Sequence, residues 1–170
     1  MDLKRYTHAD ARNVRSLLLD IHDEAYVDDP NPFHSRERFS YFVDLWSSRK
    51  DWQCVSGWEE GRAIGCAYGS MFKPGGWWKG HHRPANARGP IFALSQLMVV
   101  PQWRGTGRAQ QIHDALLESV EANIVTLTVD ATHHKVQALY ERWEYVKVGE
   151  AKPSDDSPLY AVMAREMTRV

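Results

Sequence analysis

Apolar residues recur along this chain at two spacings, one helical and one strand-like, and together they mark out its elements. Leu3 to Tyr6 reads as a short first strand. Thr7-His8-Ala9-Asp10 then opens a helix, with Thr7 as a cap and Asp10 three residues on, and Val14, Leu17, Leu18 and Ile21 follow at helical spacing. A second helix begins near Ser35, with Phe39, Phe42, Val43 and Trp46 on its buried face. Trp52 to Trp58 and Ala63 to Phe72 read as strands joined by the turn Glu59-Glu60-Gly61. The pattern breaks from Lys73 to Pro90, where four glycines and three prolines surround the cluster Trp77-Trp78-Lys79-Gly80-His81-His82-Arg83. A loop of that length inside a compact domain is uncommon, and more often functional or mobile than average. Regularity returns with the strand Ala93–Val100 and a helix from about Thr106 to Ala122 that puts Ala109, Ile112, Leu116 and Val120 on one face. Ile124–Asp130 is a strand, and His134–Trp143 a short helix with Val136, Leu139, Tyr140 and Trp143 on one side. Tyr145–Gly149 and Leu159–Glu166 close the series as strands, separated by the polar loop Lys152 to Pro158. Seven strands and four helices are predicted, an α/β (α+β) chain.

Composition narrows the class. A chain of 170 residues is one domain by length, spanning residues 1–170, and its 43% hydrophobic and 25% charged residues are those of a soluble globular protein. A net charge of −1 argues against a nucleic-acid partner held by a basic surface. No apolar run has membrane-spanning length, and Met1 to Asp10 is too polar for a signal peptide. Cys54 and Cys66 give no disulfide framework. These features predict a cytoplasmic protein without a membrane partner. They leave the oligomeric state open, a homodimer included.

The chemistry is concentrated after the strand Ala93–Val100. Pro101-Gln102-Trp103 leads into the turn Arg104-Gly105-Thr106-Gly107-Arg108-Ala109, which opens the amphipathic helix. Strand, glycine turn and helix make a cradle for phosphate: glycines let the backbone approach a ligand, and the unpaired N–H groups of the first helical turn point at it. Arg104 and Arg108 add positive charge suited to a diphosphate. A Walker A loop would need Gly-Lys-Ser/Thr at its end, and none is present. A dinucleotide fingerprint needs a third glycine where Gln110 stands, although Asp130 does mimic its ribose-binding acid.

Arg104, Gly107 and Ala109 fill in order the Gln/Arg-x-x-Gly-x-Gly/Ala signature of the GNAT superfamily of acyl-CoA-dependent N-acyltransferases, which the sequence resembles from Ala93 to Gly149. A second segment, Val136-Gln137-Ala138-Leu139-Tyr140-Glu141-Arg142-Trp143, resembles that family's Ala-x-x-Leu-Tyr-x-x-x-Gly-Phe helix. The resemblance implies a mixed, mostly antiparallel central sheet flanked by helices, with a splayed strand pair that binds coenzyme A. It implies acetyl-CoA as cosubstrate and an N-acetyltransferase acting by direct attack on a primary amine of a small molecule. A protein or peptide N-acetyltransferase and a catalytically silent CoA-binding module are the alternatives. The chain departs from the family at His133, often Asn there, where a side chain helps hold the pantetheine arm. It also has Glu144 in place of a glycine, which predicts a changed helix cap.

Transfer of an acyl group from a thioester needs a neutral amine, a polarised carbonyl oxygen and a proton for the departing thiolate. By resemblance Tyr140 lies beside the coenzyme sulfur and supplies that proton. It also shares a helical face with Leu139 and Trp143, as a core residue would. Backbone groups of Leu97, Met98 and Val99 would pair with pantetheine like an added strand, one N–H polarising the thioester. Arg104, Gly105, Thr106, Gly107, Arg108 and Ala109 would hold the diphosphate, and His133 the pantetheine arm. No general base is assigned: Ile91–Val100 contains no acid, so Ser95 or Gln96 could hold a relay water, and His22, Glu24, His81 and His82 are further candidates. Adjacent histidines rarely converge on one ion, so no metal site is predicted at His81-His82. From Ser16 to Ser35 there is no Lys or Arg, yet Asp20, Asp23, Glu24, Asp28 and Asp29 all occur. In relatives this region walls the acceptor pocket, so Asp23 and Glu24 would attract a cationic amine, or form an ordinary solvated face. Tyr26, Phe33, Trp77 and Trp78 would add cation–π contacts or cover the core.

Overall fold

The computed structural model describes residues 1–168. Seven strands form one mixed sheet in the order β1-β2-β3-β4-β5-β7-β6. They are β1 Asp2–Thr7, β2 Gln53–Glu59, β3 Arg62–Met71, β4 Ile91–Val99, β5 Ile124–Asp130, β6 Val146–Ala151 and β7 Tyr160–Glu166. The helices are α1 Ala11–Ala25, α2 Arg36–Ser47, α3 Arg108–Leu117 and α4 His134–Arg142. The chain forms two compact units, one of residues 1–70 with 95–120 and the other of residues 71–94 with 121 onward.

In the first unit β1 pairs antiparallel with β2, and β2 with β3. The apolar stripes of α1 and α2 pack with Cys54, Cys66, Tyr68 and Met98 from the strands, burying Val14, Leu18, Ile21, Phe39 and Val43. Both cysteines are free and buried, and burial pushes their thiols above the ordinary range, which disfavours the thiolate. Before α1 the chain makes a single 3-10 turn, His8–Asp10, where the Asp10 carboxylate accepts the Thr7 N–H at 2.8 Å. The periodicity missed His22, which is 3% exposed and stacked on Phe39 at 3.9 Å.

Helix α3 is shorter than its apolar pattern suggests, spanning Arg108–Leu117 instead of Thr106 to Ala122. Gly107 has φ +81° and is the cap, outside helical geometry. At the other end the Ser119 hydroxyl donates to the Leu116 carbonyl at 2.9 Å and the chain turns away, although Val120 is still buried.

In the second unit β5 pairs antiparallel with β7 along its whole length, and β7 with β6. The parallel register of β4 with β5 covers Ile91–Ala93 against Ile124–Thr126, while β4 runs on to Val99 and β5 to Asp130. The 73–90 segment is folded onto its own unit. Trp77 packs against a cluster of Ala87, Ile91 and Ile124, the Trp78 indole N–H donates to Thr126 Oγ1 at 3.0 Å, and Arg83 Nε donates to the Ala87 carbonyl at 2.8 Å.

Helix α4 buries Tyr140, with Trp143 buried at its cap, but Val136 is 40% exposed and lies off the face predicted for it. The helix ends in a Schellman motif: Glu144 N–H donates to the Glu141 carbonyl at 3.0 Å and Tyr145 N–H to the Tyr140 carbonyl at 3.1 Å. Glu144 itself takes the left-handed conformation, φ +69°. The predicted change in cap geometry does not occur, because the glutamate accepts the strain that a glycine would have avoided.

Candidate active site

The turn after β4 is built by its backbone. Gly105 and Gly107 both have positive φ, +73° and +81°, and a Cβ at either would meet no protein atom within 4 Å. Glycine is therefore required there by conformation and not by packing, and the space above the turn is open to a ligand. The Thr106 hydroxyl donates to the Trp103 carbonyl at 2.5 Å, closing the turn from within. The first N–H groups of α3 follow at once.

Both arginine side chains of the turn are engaged inside the first unit. Arg104 donates from Nε to the Val99 carbonyl at 3.1 Å and from Nη2 to the Ala25 carbonyl at 2.6 Å. Arg108 Nε lies 2.7 Å from the Glu59 carboxylate, an ion contact, and its guanidinium sits over the Trp103 ring. The positive charge expected to face a diphosphate is thus partly matched at Arg108 and turned toward carbonyls at Arg104. Ala109 is half-buried at the start of α3.

Along β4 the backbone alternates. Val100 N–H donates to the Ile64 carbonyl of β3 at 2.9 Å, so the peptide groups of Met98, two residues back, belong to the same side. Those of Leu97 and Val99 point away from β3, with the Val99 carbonyl taken by Arg104. The strand register therefore singles out the Leu97 and Val99 N–H groups from the three candidate residues.

The segment that follows α1 is an ordered wall of rings. Tyr26 lies 4.6 Å from the His22 ring and 4.9 Å from the His34 ring, and Phe33 meets His34 edge-on at 5.5 Å. Asp29 N–H donates to the Tyr26 carbonyl at 3.0 Å, and the Asp29 carboxylate holds His34 Nδ1 at 2.7 Å. Burial raises the Tyr26 phenol above its ordinary value, opposed by a hydrogen bond with the Gln96 side chain and by the charge of Arg104. Burial pushes His22 down to about 4 against the pull of Asp23, whose carboxylate is 3.9 Å from Nδ1, beyond hydrogen-bond reach. His22 is therefore neutral near pH 7.

The acidic stretch is not free of cations once folded. Arg36 pairs with both Asp20 and Asp23, and Arg62 Nη2 lies 2.8 Å from Glu24. The charge that would attract a cationic amine is largely matched by these arginines.

In the second unit Tyr140 is 7% exposed, with its ring edge-on to Trp143 at 5.4 Å and to Tyr145 at 5.5 Å. His133 caps α4 with its side chain exposed, and its N–H donates to the Asp130 carbonyl at 2.9 Å. The indole N–H of Trp77 donates to His81 Nδ1 at 2.9 Å, so Trp77 and Trp78 both have their polar groups occupied within the 73–90 segment and β5. Among the described residues no three His, Cys, Asp or Glu side chains are grouped to hold a metal ion. No helix among them is long and apolar enough to cross a membrane.

The sequence matches the Acetyltransferase (GNAT) family over residues 17–145, and the chain belongs to that family. It is an acyltransferase enzyme of a fold that uses acetyl-CoA. No curated protein is matched by the sequence. Among solved structures, a histone acetyltransferase HPA2 and related acetyltransferase from Corynebacterium glutamicum is 17% identical, with a TM-score of 0.66 over 99% of this chain and 97% of that one. Aminoglycoside 6'-acetyltransferase type Ii is 13% identical, with a TM-score of 0.66 and full coverage of both chains. The NatC complex bound to Gag peptide and CoA contains a chain 15% identical, with a TM-score of 0.62 over 99% of this chain and 100% of that one. At these identities the likeness is one of fold.

Proposed function

We propose that this protein is a cytoplasmic N-acetyltransferase that moves an acetyl group from acetyl-CoA to a primary amine of a small molecule. The observation that carries the reading is the turn Arg104 to Ala109, with two left-handed glycines under open space and the first N–H groups of a helix behind them. The backbone N–H groups of residues 105–109 hold the diphosphate. Those of Leu97 or Val99 pair with the pantetheine arm and polarise the thioester carbonyl, and His133 contacts the same arm.

The amine nitrogen attacks the acyl carbon, the carbon–sulfur bond breaks, and Tyr140 gives its proton to the departing thiolate and regains one from solvent. The amine loses a proton to solvent through a water held at Gln96. With Asp23 and Glu24 already matched by Arg36 and Arg62, Tyr26 and the rings beside it are the main acceptor contacts. An acceptor with an apolar or aromatic body suits such a wall better than a polycation.

The test is release of free thiol from acetyl-CoA, with a panel of arylalkylamines, polyamines, aminoglycosides and peptides with free N-termini. Turnover highest on a small amine supports the proposal. Turnover confined to peptides would replace it with protein N-acetylation, and CoA binding without turnover on any amine would leave a silent binding module.

A further inference from the structure

Arg104 stands in the coenzyme turn, yet its side chain is directed elsewhere. Its Nη2 donates to the carbonyl of Ala25, the last residue of α1, and its Nε to that of Val99, the last residue of β4. The final carbonyls of a helix have no intrahelical donor, and a cation there also complements the negative end of the helix dipole. The Nε–Nη2 edge, which could grip a phosphate through two parallel N–H groups, is thereby occupied. Directly after Ala25 comes Tyr26, and its carbonyl receives the Asp29 N–H. Asp29 in turn accepts the Asn31 N–H at 2.9 Å and holds His34, which packs on the Tyr26 ring. One side chain from the turn therefore anchors the base of the whole 26–34 wall.

We infer that Arg104 is a positioning residue for the amine acceptor and not a ligand of the diphosphate. It fixes the end of α1 to the end of β4, so that the acceptor wall and the coenzyme turn are set by the same side chain. Coenzyme A bound at the turn then steadies the 26–34 segment, and the acceptor finds its wall formed. This rests on the acetyl-transfer reading above. A lysine cannot substitute, because one ammonium on a flexible stem does not reproduce the planar fork that reaches two carbonyls.

The experiment compares Arg104→Met and Arg104→Lys with the parent, by calorimetric titration of CoA and by steady-state kinetics on the best amine found. The expected result is a CoA Kd changed by less than about threefold and an acceptor KM raised about tenfold or more, with kcat less affected, in both variants. Millimolar ethylguanidinium added to Arg104→Ala should bring the acceptor KM back toward the parent value. A CoA Kd raised about tenfold with acceptor KM unchanged would make Arg104 a phosphate ligand and overturn the inference, and so would no change in either constant. If the variants do not fold, hydrogen exchange on the parent decides: amides of 26–34 should gain protection when CoA binds, and unchanged exchange overturns the inference. A parent protein that does not bind CoA at all counts instead against the acetyl-transfer reading.

Discussion

The amide of Tyr145 donates to the carbonyl of Tyr140 across 3.1 Å, and the two rings meet edge-on at 5.5 Å. Bond and ring contact together are the two halves of a Schellman cap, the orphan carbonyl satisfied and an apolar contact closing over it. The helix that carries the proposed proton donor is therefore stopped and held by its own neighbour, with Glu144 left in a left-handed conformation.

That strain gives the first prediction. Glu144→Gly should stabilise the protein by about 1 kcal/mol, because a left-handed non-glycine residue costs roughly that much. For a chain of this size the thermal midpoint should rise by about 2–4 °C. Glu144→Ala, which keeps a Cβ, should show no such gain, and equal effects of the two in a thermal melt would mean that the conformation is unstrained.

Tyr140→Phe keeps the buried ring and its contacts with Trp143 and Tyr145 but loses the hydroxyl. Turnover should fall about 10²–10⁴-fold, the usual range for a lost general acid, with CoA affinity unchanged. Steady-state kinetics and calorimetry separate the two quantities. A fall of less than about threefold would assign Tyr140 to packing and the proton to another group or water.

Gly107→Val should weaken CoA binding about tenfold or more, since a branched side chain strains φ +81° and fills the open space over the turn. Gly61→Val is the control: its φ is +79° and its surroundings are equally open. Comparable loss of stability in both, with CoA affinity lost only in Gly107→Val, is the expected pattern in parallel melts and titrations.

His22 links the fold to pH. An imidazole titrates near 6.5 in the unfolded chain and at about 4 in the folded protein, where burial disfavours its charge. Between those values the unfolded chain binds more protons, so stability rises with pH across that window. The contribution is complete above 6.5 and is lost as pH falls to 4, a difference of roughly 2–3 kcal/mol. Urea denaturation at pH 7 and pH 4.5 should show this loss in the parent and much less of it in His22→Phe, which keeps a ring against Phe39.

Asp23→Asn combined with Glu24→Gln should alter stability by about 1 kcal/mol or less, because the pairs with Arg36 and Arg62 are exposed. The acceptor KM should stay within about threefold of the parent even for a cationic amine. A large rise in that KM, reproduced by added salt in the parent, would restore these carboxylates as acceptor contacts.

The elements and the turn were legible in the sequence because their causes are local. A strand or helix face is written by neighbours two to four residues apart, and the closely spaced Gly105 and Gly107 mark a turn between strand and helix by their residue type alone. Even so, α3 stopped at Leu117 while its apolar pattern ran on, since Val120 is buried by a turn that periodicity cannot distinguish from a helix. Only the tertiary structure decided what the charged and aromatic side chains do. Arg104 meets Ala25 across 79 positions of sequence, Arg62 meets Glu24 across 38, and Trp78 meets Thr126 across 48. A guanidinium or an indole reaches whatever acceptor the packed chain brings near it. That partner is set by how strands register and helices pack, which no short window of residues encodes.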